Sequence, residues 1–379
     1  MNSELIYLDY NATTPCDPRV VEGMTPFFSD HFGNAASHHH ALGLFAEEAV
    51  ENARNQLAKL VNGKTSEIIF TSGATESINL VLRGLQKYGA KKGKHIITWS
   101  TEHKAVLETL SWLENLGYET SILPVDQKGL PDLAALHDVI RKDTVLVVMM
   151  LANNETGIMM PVREVVDLVK PLGILTLCDA TQAVGKVAVD FESLGVDFAA
   201  LSGHKFYGPK GTGALYMAGG PARTKLEPFL TGGGHEGNLR SGTVNVPGIV
   251  GMGLAAALVG ATLAEEEKRI SELRDRFIME INQSGRIVLN SGHQHTLPNT
   301  ANIRFNFQGG DLLLQKISSK VAASSGSACT SVVQKPSHVL KAMGLTDIQA
   351  LSSIRFSLGR FTTHAQIEQA TQHILEKMK

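Results

Sequence analysis

Apolar and polar positions along this chain switch repeatedly between a helical period and short continuous apolar runs, and that alternation predicts a fold class. Residues 5–8 read as a short strand entering a turn that Pro15 closes. Helical spacing covers residues 41–61, followed by a strand at 67–70, a helix at 75–88, a strand at 95–99 and a helix at 103–116. Further strands are predicted at 118–123, 144–151, 174–178 and 198–201. Helices near 131–141 and 161–172 each open with a proline suited to a first turn. Strands alternating with helices of this length imply right-handed crossovers and a mainly parallel sheet covered on both faces. Ligands gather at the carboxyl ends of such strands. Residues 72–75, 101–103, 153–154, 179–182 and 202–205 are therefore expected to share one crevice.

The pattern then changes. Residues 249–263 form an apolar, small-residue run. A bilayer span needs roughly 20 residues, so this shorter run is predicted to be a buried helix. Glu265, Glu266 and Glu267 open a polar continuation running as a helix to Ile281. A domain boundary is expected there, with residues 15–262 as the larger unit. Residues 1–14 and 263–379 then form a smaller α+β unit with strands at 287–289, 301–305 and 354–357 and helices at 311–317, 337–342 and 364–378.

At 379 residues the chain is too long for one simple core, which agrees with two units. Charged residues make up 19% and the net charge is −2, so nothing favours nucleic acid or an anionic membrane as a partner. Cys16, Cys178 and Cys329 are too few for a disulfide framework, and with no basic-then-apolar leader around Glu4 and Asp9 the cytoplasm fits best.

Candidate chemistry sits at the expected strand ends. Lys205 follows the apolar run 198–201 between His204 and glycine-flanked turns, so burial would lower its pKa and free the amine for Schiff-base chemistry. The alternative is a surface turn lysine. Asp179 ends another apolar strand, and a strand-end acid with a strand-end lysine suggests pyridoxal phosphate, which needs both. Thr71-Ser72-Gly73-Ala74-Thr75 joins strand to helix with small residues, either a phosphate site or an ordinary N-cap by Ser72 or Thr75. His103 could stack on a cofactor ring and move protons, and Asn154 could bind a phenolic oxygen or a carboxylate. The glycine run 232–234, with Arg240 and Thr243 beyond it, reads as an anion site, a subunit contact or a surface loop. Arg355, inside an apolar strand, needs an anion such as a substrate carboxylate. Cys329 lies among small residues at about 324–334, a loop expected to be mobile with an accessible sulfur, whereas Cys178 is expected to be buried and inert. No metal site is expected: consecutive His38, His39 and His40 diverge where ligands must converge.

With these residues in order, the sequence resembles the pyridoxal-phosphate cysteine desulfurases of the bacterial housekeeping and nitrogen-fixation types. Leu8 to Pro15, Thr71 to Glu76, Thr101 to His103, Ser202 to Gly211, Gly232 to Gly242 and Ser324 to Ser331 carry the likeness. The resemblance implies a fold-type-I transferase with a seven-stranded large-domain sheet, acting as a homodimer on L-cysteine. Lys205 would hold the cofactor and move the Cα proton, with His103 stacked on the ring and Asp179 paired with the pyridine nitrogen. Gln182 and Asn154 would face ring substituents. Ala74, Thr75, Ser202 and His204 would hold the phosphate, joined by Thr243 from the other subunit, while Arg355 takes the substrate carboxylate. Cys329 would carry sulfur as a persulfide to an acceptor protein, for iron–sulfur clusters or thio-modification. Two departures stand out. Ala35 replaces the family's usual proline, and the chain ends at Lys379 without the housekeeping type's C-terminal extension, which docks the iron–sulfur scaffold. A selenocysteine lyase or an aminotransferase would use the same fold.

Overall fold

The computed structural model of the chain describes residues 5–86, 92–223, 226–292, 294–325 and 335–379. Its central sheet is built from β2 (Ile68–Thr71), β3 (His95–Trp99), β4 (Glu119–Leu123), β5 (Thr144–Met150), β6 (Leu175–Asp179), β7 (Phe198–Ser202) and β8 (Gly213–Met217). They stand in the order β2-β8-β7-β6-β5-β3-β4. From β4 through β7 the pairing is parallel, and β8 runs antiparallel to both of its neighbours, β7 and β2. All strands but β8 therefore present their carboxyl ends along one edge.

Continuous apolar runs are what a sheet covered on both faces requires. In β5, Val147 and Met149 enter one core with Ile97 and Trp99, while Leu146 and Val148 enter the core of the opposite face with Ile96. One face is closed by the helices Ala41–Leu60 and Val246–Asn282, the other by Ala74–Gly84 and Lys104–Glu114.

The remaining strands build a smaller layer. β10 (Thr300–Phe305) pairs antiparallel with β9 (Ile287–Leu289) and β12 (Ser353–Ser357), and β1 (Ile6–Tyr7) pairs parallel with β11 (Val321–Ala322). The helix His364–Lys377 packs on this layer through Ile367, Ala370 and Ile374.

Several details correct the sequence reading. The apolar run is only half of a single 37-residue helix, Val246–Asn282, so shortness is no argument against a membrane span. What its apolar residues contact decides the matter: Met252, Ala255, Ala256 and Val259 are buried in the core shared with Ala41–Leu60. The expected continuation of the helix past residue 264 is present, and there it exchanges one core for another, with Ile270, Leu273 and Phe277 in the smaller unit's cluster. The prolines do not occupy first turns either, because Asp132 caps Leu133–Val139 and Pro161 is itself the N-cap of Val162–Val169. β8 is an element that the hydrophobic pattern does not predict.

Candidate functional site

Where the strand ends meet the small unit, a cavity of about 630 Å³ opens, lined by Ser72 to Thr75, His103, Asn154, Asp179, Gln182, Ser202, His204, Lys205 and Arg355. The expected crevice is thus one continuous space. Thr243 does not line it in this chain and is exposed, and Cys329 lies outside the described residues.

Each wall follows from its local sequence. β7 ends at Ser202 and turns through Gly203–Lys205, with Gly208 N–H closing on Gly203 O at 2.9 Å. This tight turn puts Lys205 inward. Its Nζ donates to the carbonyls of Asn11 at 2.6 Å and Ala12 at 2.8 Å. Burial, reinforced by the Arg355 charge and opposed by Asp179 and Asp9, lowers its pKa from 10.5 to about 8. The ring of His204, beside it, shares a hydrogen bond with Thr13 Oγ1 over 3.0 Å, and burial with the Lys205 charge pulls its imidazole down to about 4. Asp179 ends β6 at 7% exposure, and one carboxylate oxygen accepts the Thr181 N–H at 3.0 Å.

The helix Ala74–Gly84 starts at Gly73 with no side-chain cap. The ordinary N-cap alternative therefore fails, and the helix turns its first N–H groups and positive dipole end to the cavity. Close packing makes room for this. A Cβ on Gly213 of β8 would collide with the Gly73 backbone. Beside the turn, Glu76 accepts the Ser72 N–H at 2.9 Å and pairs with Arg240 Nε at 2.9 Å. The glycine-rich segment thus braces this turn. His103 caps Lys104–Glu114, its Nδ1 accepting from Ala105 N–H at 3.1 Å, and its ring opens to the cavity. Although the ring is exposed to the cavity, the protein around it pushes its imidazole pKa down, mainly by lost hydration.

Arg355 is 3% exposed on β12. Its terminal nitrogens bond Asp9 at 2.6 Å and Asn154 O at 2.9 Å, and its buried Nε meets no partner among the described residues. Part of its donor set is committed, and the remainder faces an unmet demand for an acceptor. His38 and His40 do diverge, one toward Glu47 and the other capping Gly43 N–H. Cys178 is 1% exposed, and burial raises its thiol pKa well above the ordinary value.

Other groups at the site are not legible in the sequence. Asn11 is 1% exposed and every polar atom is engaged: its N–H with Ser357, its amide nitrogen with Thr300 and Asn154 O, its amide oxygen with Lys186 and Asn299, its carbonyl with Lys205 and Gln182. Asp9 and Asn11 lie inside the opening motif, but their role depends on the chain threading across the lysine turn, where Thr14 N–H reaches His204 O at 3.0 Å. Glu102 is wholly buried, its pKa raised well above normal by burial, with one oxygen on Met150 N–H at 2.7 Å. Glu155 holds Ser337, which caps the helix His338–Ala342, and His338 Nε2 lies 3.0 Å from Glu102 O.

Comparisons with known proteins agree with this geometry. Residues 6–370 match the aminotransferase class-V family. The protein named cysteine desulfurase IscS from Anaeromyxobacter sp. (strain Fw109-5) is 47% identical over 375 residues, 99% of this chain and 92% of that one. Among solved structures, a NifS-like protein superposes with a TM-score of 0.91 at 37% identity, covering 98% of each chain. A structure titled SspA in complex with cysteine gives 0.82 at 34% identity, covering 94% of this chain and 99% of that one.

Proposed function

We propose, from the premise that this chain belongs to the aminotransferase class-V family and to its cysteine desulfurases, that the crevice holds pyridoxal phosphate and takes sulfur from L-cysteine. The observation that carries this reading is the Lys205 amine, with its pKa of about 8, in the same cavity as the Asp179 carboxylate. The donor set fits the cofactor. An uncapped helix N-terminus with Thr75, Ser202 and His204 suits a phosphate, Asp179 suits a pyridinium, Gln182 and Asn154 suit ring substituents, and the His103 ring is free to stack. When bound, the cofactor supplies an electron sink beside the substrate Cα.

The residues do the rest. Arg355, held by Asp9 and the Asn154 carbonyl, receives the substrate carboxylate with its remaining N–H groups. Lys205, an amine titrating near neutral pH, takes the Cα proton, and His103 handles further proton transfers. Cys329 Sγ attacks the substrate sulfur. The S–S bond forms as the substrate's Cβ–S bond breaks, its electron pair passes to the carbon side and is protonated, and alanine leaves with a persulfide on Cys329. Ser324 pairs backbone to backbone with Arg355, and Ser337 bonds Glu155, so the segment bearing the cysteine starts and ends at the cavity wall. That anchoring supports delivery of the thiol to the substrate and of sulfur to an acceptor protein.

The same reading makes the enzyme a cytoplasmic homodimer with residues 15–262 as cofactor domain. Exposed Phe28 (68%) and Phe32 (67%) support a subunit contact. The exposure of Thr243 supports its reaching the partner's phosphate. Mixing the loaded enzyme with L-cysteine should yield equimolar alanine and protein-bound sulfur in a single turnover. Cys329→Ala should abolish both, whereas unchanged alanine release would favour a selenocysteine lyase, and unchanged amino-group transfer an aminotransferase.

A further inference from the structure

Lys186 lies behind the crevice, and the chemistry above does not use it. It does not line the main cavity. It lines a pocket of about 20 Å³ behind Lys205, beside Asn299 and Glu266. Its Nζ donates to Asn11 Oδ1 at 2.9 Å and to Gln182 Oε1. The Gln182 amide is thereby sandwiched, because on its other side Nε2 donates to Asn11 O at 3.0 Å.

This sandwich admits one orientation. A backbone carbonyl only accepts, so turning the amide over would set oxygen against oxygen at Asn11 and take away the acceptor that the Lys186 N–H meets. Gln182 then has one uncommitted N–H left for the cavity it lines. The position of Lys186 is itself enforced. It follows Gly185, whose φ of 84° is positive and where a Cβ would collide with Phe206, the neighbour of Lys205. Glycine alone adopts that backbone freely. Burial, reinforced by the Lys205 and Arg355 charges, also moves the Lys186 pKa well below 10.5, and the amine has N–H groups for both oxygens in either protonation state.

We infer that Lys186 is a positioning residue: it fixes the Gln182 amide so that an N–H, rather than the carbonyl, is presented to the phenolic oxygen of the bound cofactor. This rests on the cofactor reading above. The test is a pH titration of the visible absorption band of protein loaded with pyridoxal phosphate, comparing wild type with Lys186→Met, Lys186→Arg, Gln182→Leu and the Lys186→Met/Gln182→Leu pair. Far-UV circular dichroism checks that each is folded.

A donor to an oxygen anion favours its deprotonated form, so Lys186→Met should move the midpoint upward by about one pH unit, the scale of one charge-assisted hydrogen bond. Gln182→Leu should move it in the same direction, the pair no further than Gln182→Leu alone, and Lys186→Arg should stay near wild type. A purely structural lysine would alter melting but not this midpoint. Should Lys186→Met titrate like wild type while Gln182→Leu shifts, or should the two shifts add, the inference is overturned. If wild type acquires no visible band, or Lys205→Ala acquires the same one, the cofactor reading itself is wrong and this inference goes with it.

Discussion

Replacing the central lysine should make the folded chain more stable. In the cofactor-free protein, folding moves Lys205 from an ordinary pKa of 10.5 to about 8. At about 1.4 kcal/mol per pH unit this corresponds to roughly 3–4 kcal/mol against folding while the amine stays charged in both states. Because the group is only partly buried, solvent screening reduces that to about 2–3 kcal/mol. Lys205→Met removes the penalty and keeps the apolar stem. It also strands acceptors. Asn11 O retains the Gln182 N–H, while the Ala12 carbonyl is left short of a partner. That loss costs about 1 kcal/mol. The net expectation is a gain of about 1–2 kcal/mol near pH 7. The sign with pH follows from the lowered folded pKa: below about 8 the penalty is complete, and between about 8 and 10.5 the folded form has shed its proton while the unfolded form has not. The advantage of the variant should therefore shrink across that window and, because the stranded Ala12 carbonyl remains, give way above it to a deficit of about 1 kcal/mol. Urea unfolding of cofactor-free wild type and variant at matched protein concentration, from about pH 7 to about pH 10.5, measures the difference. A variant less stable at pH 7, or a gap that does not change with pH, refutes the reasoning.

Arg240→Ala should weaken pyridoxal phosphate binding by about tenfold with little loss of fold, since it frees Glu76, which holds the Ser72 turn; reconstitution of stripped protein, followed by fluorescence, measures it. Gly185→Ala should cost about 2–4 kcal/mol in chemical denaturation, because the left-handed backbone and the Phe206 collision act together.

The alternation of periods gave the architecture because each strand of a doubly covered sheet must be apolar on both sides, a demand visible in His95–Trp99, whose ends match the expectation. β8 stays hidden because Gly213 and Ala214 open it behind a glycine-rich turn, and its antiparallel place depends on pairing with β2, far away in the chain. Strand ends named the crevice, since a parallel topology sends them to one edge. Asn11 and Lys186 are not readable in the same way. Asn11 meets Lys205 through its backbone carbonyl, which every residue type offers, and a lysine after a glycine reads as a surface turn until Phe206 is seen against Gly185 and Asn299 beside Lys186 in one pocket.

The crevice concentrates ionisable groups that cannot all be charged in so little water, and their partners sort them. Arg355 meets the Asp9 carboxylate and has charge to answer charge. Among the described residues Glu102 meets a backbone N–H and Lys186 amide oxygens rather than an opposite charge, so burial drives the acid's pKa up and the amine's down. Lys205 lies between these cases. After burial, the largest influence lowering its pKa is the Arg355 charge. An anion seated on Arg355 offsets that repulsion and raises the proton affinity of Lys205. Under the roles proposed above, recognition of a carboxylate by Arg355 would strengthen Lys205 as a base, coupling filling of the site to the capacity to remove a proton there.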